Sequence, residues 1–213
     1  YKCLYLENTS SAYNQGGVLN ATFAESIRSF YHGLYVKFGN NSSASNNNAR
    51  VHNNFGSKCV MCEFVAGGTK LNNVVNNGGT HYSTLINCRL YGSGTSGNGN
   101  GNGVKCDTIS PIVINCVIDN LHGHGISDES TSAGRNGTFF GNTITRMGDS
   151  GIASGQGRQN QGGVLVENNI IYDMGGFAVK ANANDDDRLL GSQIGIGDVT
   201  SGNFNNLDVY ENL

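Results

Sequence analysis

The chain has 213 residues, a formal net charge of −3 and only 14% charged residues, with no basic cluster of the kind that follows a phosphate backbone. Hydrophobic residues make up 37%, sparse for a spherical core, and no apolar run approaches the length that crosses a bilayer. These numbers argue against a nucleic-acid partner and a membrane span, and they suit one domain built around a thin column of core.

Taken in chain order, a five-residue phrase keeps returning. Weak copies come first, at Tyr1-Lys2-Cys3-Leu4-Tyr5 and Phe23-Ala24-Glu25-Ser26-Ile27, followed by an Asn/Ser-rich stretch, 39–54, that reads as an insertion. The phrase then becomes regular: Val60-Met61-Cys62-Glu63-Phe64, Ile86-Asn87-Cys88-Arg89-Leu90, Ile114-Asn115-Cys116-Val117-Ile118, Phe140-Gly141-Asn142-Thr143-Ile144 and Glu167-Asn168-Asn169-Ile170-Ile171. The last apolar residues fall at 64, 90, 118, 144 and 171, in steps of 26, 28, 26 and 27. The two weak copies add steps of 22 and 37, and a degenerate copy stands at Ile196-Gly197-Asp198-Val199. A period in this range marks a stacked repeat.

Each unit continues beyond the phrase. Three residues on lies a second apolar residue, Phe30, Leu121, Met147 or Met174. Eight residues on lies a β-former, as in Gly125-Ile126 and Gly151-Ile152, with Val179 at the same phase. Gly103-Val104 fits once the Gly/Asn stretch 93–103 is treated as an insertion; a third insertion, 181–188, carries Asp185-Asp186-Asp187. Short alternating segments bounded by Gly, Asn and Ser read as strands, and no window holds helical spacing over three turns.

Because the phrase occurs once per unit, stacking like on like pairs the strands in parallel, about 4.8 Å apart. The expected fold is all-β: a single-stranded right-handed parallel β-helix, or solenoid, of about eight coils of 22–28 residues plus insertions. The chain resembles right-handed parallel β-helix proteins of the pectate-lyase-like superfold, through its Asn-x-Ile and Gly-Ile pattern. Viral tail spikes, virion appendages and bacterial surface β-helix proteins share that fold. Residues 1–213 read as one domain and, with Tyr1 almost inside the first phrase and no polar caps, as a segment of a longer chain.

The stack accounts for the composition. Gly, at 32 residues, and Asn, at about thirty, tolerate the left-handed backbone of tight corners. Cys3, Cys62, Cys88 and Cys116 share one position that Asn142 and Asn169 continue, which reads as an internal column of thiols leading into an amide ladder. Ligands in line along a column do not converge into a tetrahedron, so a zinc site is the weaker alternative. Cys59 and Cys62 are spaced Cys-x-x-Cys, yet on one alternating strand they would face opposite ways. Asn8, Asn20, Asn40, Asn41 and Asn136 stand in Asn-x-Ser/Thr sequons.

The resemblance implies either of two functions. One is a structural, glycan-contacting segment of a virion or extracellular surface protein, partnered by polysaccharide, by other virion or surface proteins, and by itself as a homotrimer. The alternative is a polysaccharide lyase, epimerase or glycoside hydrolase on acidic polysaccharide. Hydrolysis needs two nearby carboxyls, and no strand position stacks two acids on consecutive coils: Asp128 aligns with Cys106, Ser154 and Ala181, and Glu129 with Gly155. The best polar cluster is a corner where His122, Gly123 and His124 meet Gly148, Asp149 and Ser150, with Tyr31 and His32 expected at the same corner of an earlier coil. There His124 with Asp149 would be a base and its orienting acid, and Arg146 an anion holder. His122, His124, Asp149, Asp128 and Glu129 are the binding candidates, and a solvated corner is the plainer reading. No cofactor is expected; Asp185, Asp186 and Asp187 are the candidates for Ca²⁺.

Overall fold

The computed structural model describes residues 5–8, 29–38, 50–54, 56–66, 73–77, 83–92, 94, 101–106, 111–128, 137–154, 164–176, 178–181, 189–190 and 193–195. All the regular elements among them are strands. After β1 (Tyr5–Asn8) they come in threes: β2 (Phe30–His32), β3 (Tyr35–Phe38) and β4 (Arg50–Asn54), then β5 (Lys58–Val60), β6 (Glu63–Ala66) and β7 (Asn73–Asn77). The next are β8 (Thr84–Ile86), β9 (Arg89–Tyr91) and β10 (Asn102–Cys106), then β11 (Ile112–Ile114), β12 (Val117–Leu121) and β13 (Ile126–Asp128). There follow β14 (Thr138–Phe140), β15 (Thr143–Met147) and β16 (Ile152–Ser154), then β17 (Val164–Glu167), β18 (Asn169–Met174) and β19 (Val179–Ala181), and finally β20 (Leu189–Leu190) and β21 (Gln193–Gly195).

The first strands of each triple form sheet I, in the order β2-β5-β8-β11-β14-β17-β20. The second strands form sheet II, β1-β3-β6-β9-β12-β15-β18-β21, and the third form sheet III, β4-β7-β10-β13-β16-β19. Every pairing is parallel, and phrase lies on phrase: Phe64, Leu90, Ile118, Ile144 and Ile171 are successive register partners. The chain is a parallel β-solenoid.

The first two copies fall elsewhere than the sequence pattern suggested. Leu6 pairs with Val36 and Val36 with Phe64, steps of 30 and 28. The true copy is His32-Gly33-Leu34-Tyr35-Val36, hidden because Leu34 stands where later coils carry Cys or Asn. Phe30, Tyr31 and His32 therefore belong to sheet I, beside Lys58, Cys59 and Val60, and not to the His122 corner. Arg50–Asn54, inside the expected insertion 39–54, is strand β4; its Asn-rich sequence carries no apolar alternation to betray it. Asn102 and Gly103 of the expected insertion 93–103 likewise begin β10.

One residue turns the chain from sheet I to sheet II. Gly33, Met61, Asn87, Asn115, Gly141 and Asn168 occupy that corner with φ between 51° and 66°. This left-handed conformation costs an ordinary L-residue roughly 1–2 kcal/mol, and Gly or Asn less. It also resets side-chain parity. Cys59 and Cys62 flank Met61 and both point inward, buried, against the expectation of opposite faces. By the same reset Val113 is buried while Ile114, expected in the core, faces outward and is only half-buried. Ile118, Ile126, Ile144, Ile152, Ile171 and Val179 do form the core, each such side chain contributing about 1.5–3 kcal/mol on burial.

The corner column behaves as one ladder. Asn142 Oδ1 accepts the Cys116 N–H at 2.9 Å, and Asn142 Nδ2 donates to the Val113 carbonyl and to Asn169 Oδ1, each at 2.9 Å. Asn169 Oδ1 accepts the Asn142 N–H at 2.9 Å, and its Nδ2 donates to the Phe139 and Glu167 carbonyls at 2.8 and 3.1 Å. The thiols take the same donor role: Cys62 to Val60 and Tyr31 carbonyls at 3.4 and 3.7 Å, Cys88 to Ile86 and Cys59 carbonyls at 3.4 Å each, and Cys116 to the Ile114 carbonyl at 3.3 Å. All three are buried thiols outside any disulfide. Cys3 lies outside the described residues.

Before sheet III the coils come closer still. A Cβ on Gly103, Gly125 or Gly151 would lie 2.4, 2.4 or 2.3 Å from the side chain of Ile118, Ile144 or Ile171. It would also meet a backbone carbonyl oxygen of the next coil at 2.5, 2.6 or 2.7 Å.

Candidate functional site

His122, His124 and Asp149 share one corner on adjacent coils, whereas Arg146 does not join them and Tyr31 and His32 lie in sheet I. Tight turns at Gly123 and Gly148 carry His124 and Asp149 onto adjacent coils, held by the Gly148 N–H on the Leu121 carbonyl at 2.7 Å and the Asp149 N–H on the Gly123 carbonyl at 3.3 Å. Asn102 fixes the turn from the other side, its Oδ1 accepting the His124 N–H at 2.9 Å. The His124 ring is buried, at 8% exposure. Its Nδ1 accepts the Ser150 N–H at 3.3 Å, and Asp149 Oδ1 stands 3.7 Å from that nitrogen. The longer separation is not a hydrogen bond, and Asp149 Oδ1 instead accepts the Ser150 hydroxyl at 3.0 Å. With Nδ1 accepting, the neutral ring carries its proton on Nε2, so the lone pair a general base would use is already engaged. His122 is half-buried at the same turn.

Arg146 belongs to a different place. It sits on β15 with φ 53°, in a second left-handed column with Asn120 and Asp173 on β12 and β18. From there the guanidinium reaches diagonally down one coil and grips Asp119 with both ends: Nε donates to Oδ1 at 2.7 Å and an Nη to Oδ2. This bidentate bond raises the Arg146 pKa above its ordinary value, with the charges on Asp119, Asp173 and Tyr172 adding to the effect. The guanidinium remains half-exposed while Asp119 is largely covered.

Asp119 is the centre of a row that the sequence reading missed. Tyr91, Asp119, Thr145 and Tyr172 are successive register partners on the outer face of sheet II. Thr145 is 8% exposed, and its hydroxyl is buried with no hydrogen-bond partner among the described residues. Tyr172 is 43% exposed. The signal was one residue past each aligned apolar position, a phase that alternation sends outward.

The other candidates do not join either cluster. Asp128, at 2% exposure, is buried in sheet III and presents no surface for a glycan. Glu129, Asp185, Asp186 and Asp187 lie outside the described residues. Among the described residues no group of three or more His, Cys, Asp or Glu side chains is placed to hold a metal ion, and no helix is long and apolar enough to cross a membrane. Cys59 and Cys88 have pKa values raised well above the ordinary thiol range, by hydrogen bonds within the thiol group (Cys62 for Cys59; Cys116 and Cys62 for Cys88) and by burial.

No protein-family model matches the chain, and neither a curated protein nor a solved structure matches it. The fold class rests on the strand register itself.

Proposed function

We propose that this chain is a rigid column segment of an extracellular or virion surface appendage, and that it contacts glycan along the outer face of sheet II. The observation that carries the reading is the exposed Tyr172 ring in the same region as the half-exposed Arg146 guanidinium, which the Asp119 carboxylate holds in place. A planar ring offers a sugar its apolar face, while the guanidinium, fixed by Asp119, offers donors to the sugar's hydroxyls. The low charge and the parallel stack suit a spacer that must stay straight.

The test is retention of the chain on a panel of neutral and uronic-acid polysaccharides. Tyr172→Ala and Asp119→Asn are each expected to weaken binding about tenfold, the scale of losing one anchoring contact, with the circular-dichroism spectrum unchanged. If the unaltered chain binds no glycan in the panel, the reading fails. The enzymatic alternative, a polysaccharide lyase, epimerase or hydrolase, would use His124 and Asp149. It is less well supported because His124 Nδ1 accepts from Ser150. Unsaturated ends or reducing sugar released by the same incubations, and lost in His124→Ala, would favour it.

A further inference from the structure

We propose that the outer face of sheet I is a contact surface for a second copy of this chain, packed with its coils running in the opposite direction. The pairing would obey a two-fold axis parallel to the strands, lying between β8 and β11. The parity reset at the corner puts His32, Val60, Ile86, Ile114, Phe140 and Glu167 in one outward row, register partner after register partner. Four consecutive members are apolar, half-buried side chains with no charge between them. In the flanking outward row Phe30 is 52% exposed, and Ile112 and Leu165 add to the apolar surface.

The polar groups of this face lie on either side of the apolar row and differ in kind. His32 stands on β2 and Lys58 on β5, and Glu167 stands on β17, the strand before β20. Under the proposed axis His32 of one copy faces Glu167 of the other, Val60 faces Phe140, and Ile86 faces Ile114. An axis along the column would instead set Lys58 against Val60 and Glu167 against Leu165, stranding charges on apolar groups. A parallel trimer would bring Lys58 beside Lys58 and Glu167 beside Glu167. Of the three, the reversed pairing alone sets His32 against Glu167, places Lys58 opposite the polar Thr138 and keeps the middle apolar, which suits an isologous contact. From β2 to β17 the row is about 24 Å long, five strand steps of about 4.8 Å. This surface is independent of the glycan reading, which uses sheet II.

The experiment is sedimentation velocity of the full chain across a range of concentrations. The expected result is a monomer that becomes a dimer as concentration rises. Ile86→Lys and Ile114→Glu should each weaken the dimer at least about tenfold. The chain carrying both should recover it, because each new lysine then faces the new glutamate of the other copy. Thr84→Glu, at an outward position that is already polar, faces Ile112 under the same axis and should also weaken the dimer, so the test survives poor folding of either isoleucine variant. A chain that stays monomeric at every concentration, a trimer, or a double variant that fails to recover the dimer would overturn the proposal.

Discussion

Asn142 shows how much one side chain holds in this fold. It satisfies a backbone N–H and a carbonyl on the coil below it and the amide above it. Asn142→Ala would leave the buried Cys116 N–H without its acceptor, at a cost of about 1–3 kcal/mol. Asn142→Cys should cost less, since a thiol fills that position on the three coils before it; urea midpoints of the two variants test the order. Met61 makes the converse case. It is 58% exposed and held at φ 53°, where neighbouring coils use Asn or Gly. Met61→Gly should stabilise the chain by up to about 1 kcal/mol, relief of backbone strain exceeding the entropy lost by a freer unfolded state; an unchanged or lower melting temperature would contradict that. The amide ladder was legible in the sequence because one spacing carried it. The Asp119–Arg146 grip was not, because it runs diagonally: Arg146 aligns with Asn120, and Asp119 with Thr145, so like-on-like alignment never brings the two together.

At the scale of the strand and corner, close approach and buried thiols set the limits. Gly125 has Ile144 and the Gly151 carbonyl where a Cβ would go. Since backbone on the next coil cannot swing aside as a side-chain tip can, Gly125→Ala should cost about 1–3 kcal/mol, the usual scale of overpacking, read as a lower urea midpoint with the same slope. Cys59 and Cys88 give a pH signature. Their folded pKa values lie above the ordinary value of 9.0, so below about pH 9 both states hold the proton and the thiols' contribution is fully present. Above it the unfolded chain releases protons that the folded chain retains, and stability should fall by about 1.4 kcal/mol per pH unit for each thiol. Urea midpoints at pH 8 and pH 10, compared with those of Cys88→Ala, check the sign. Strand existence in the regular coils was readable from period and alternation. Strands β4 and β7 were not, since Arg50–Asn54 and Asn73–Asn77 are rich in the residue that elsewhere signals corners.

Across the whole molecule, each coil touches chiefly the coil before and the coil after, so damage should spread by neighbours. Ile118→Asp places a charge in a dry stack and should cost several kcal/mol. Amide exchange should then quicken in β9, β12 and β15 while β2 and β3 stay near their original protection. Uniform loss of protection across every strand would instead mean that the column unfolds as one block. The column was the part of the fold most legible from sequence, because a stack of near-identical units repeats its own evidence. Which faces of the column carry chemistry was far less legible, because a single left-handed residue per corner decides what points out, and φ leaves little trace in residue type when Met61 or Arg146 adopts it.

The change from sulfur to amide between Cys116 and Asn142 has a consequence for how the chain finds its alignment. Isoleucines at 118, 144 and 171 are interchangeable, so apolar stacking alone would tolerate a coil threaded one place too far. The amides are directional: Asn142 Oδ1 accepts a backbone N–H of the coil below, and Asn169 repeats the gesture one level up. A slipped coil would meet this boundary with a thiol where an oxygen acceptor is needed, or an amide with no mate. One odd tick on an otherwise uniform ruler is enough to tell its two ends apart, and here it makes the correct threading distinguishable from its nearest competitors.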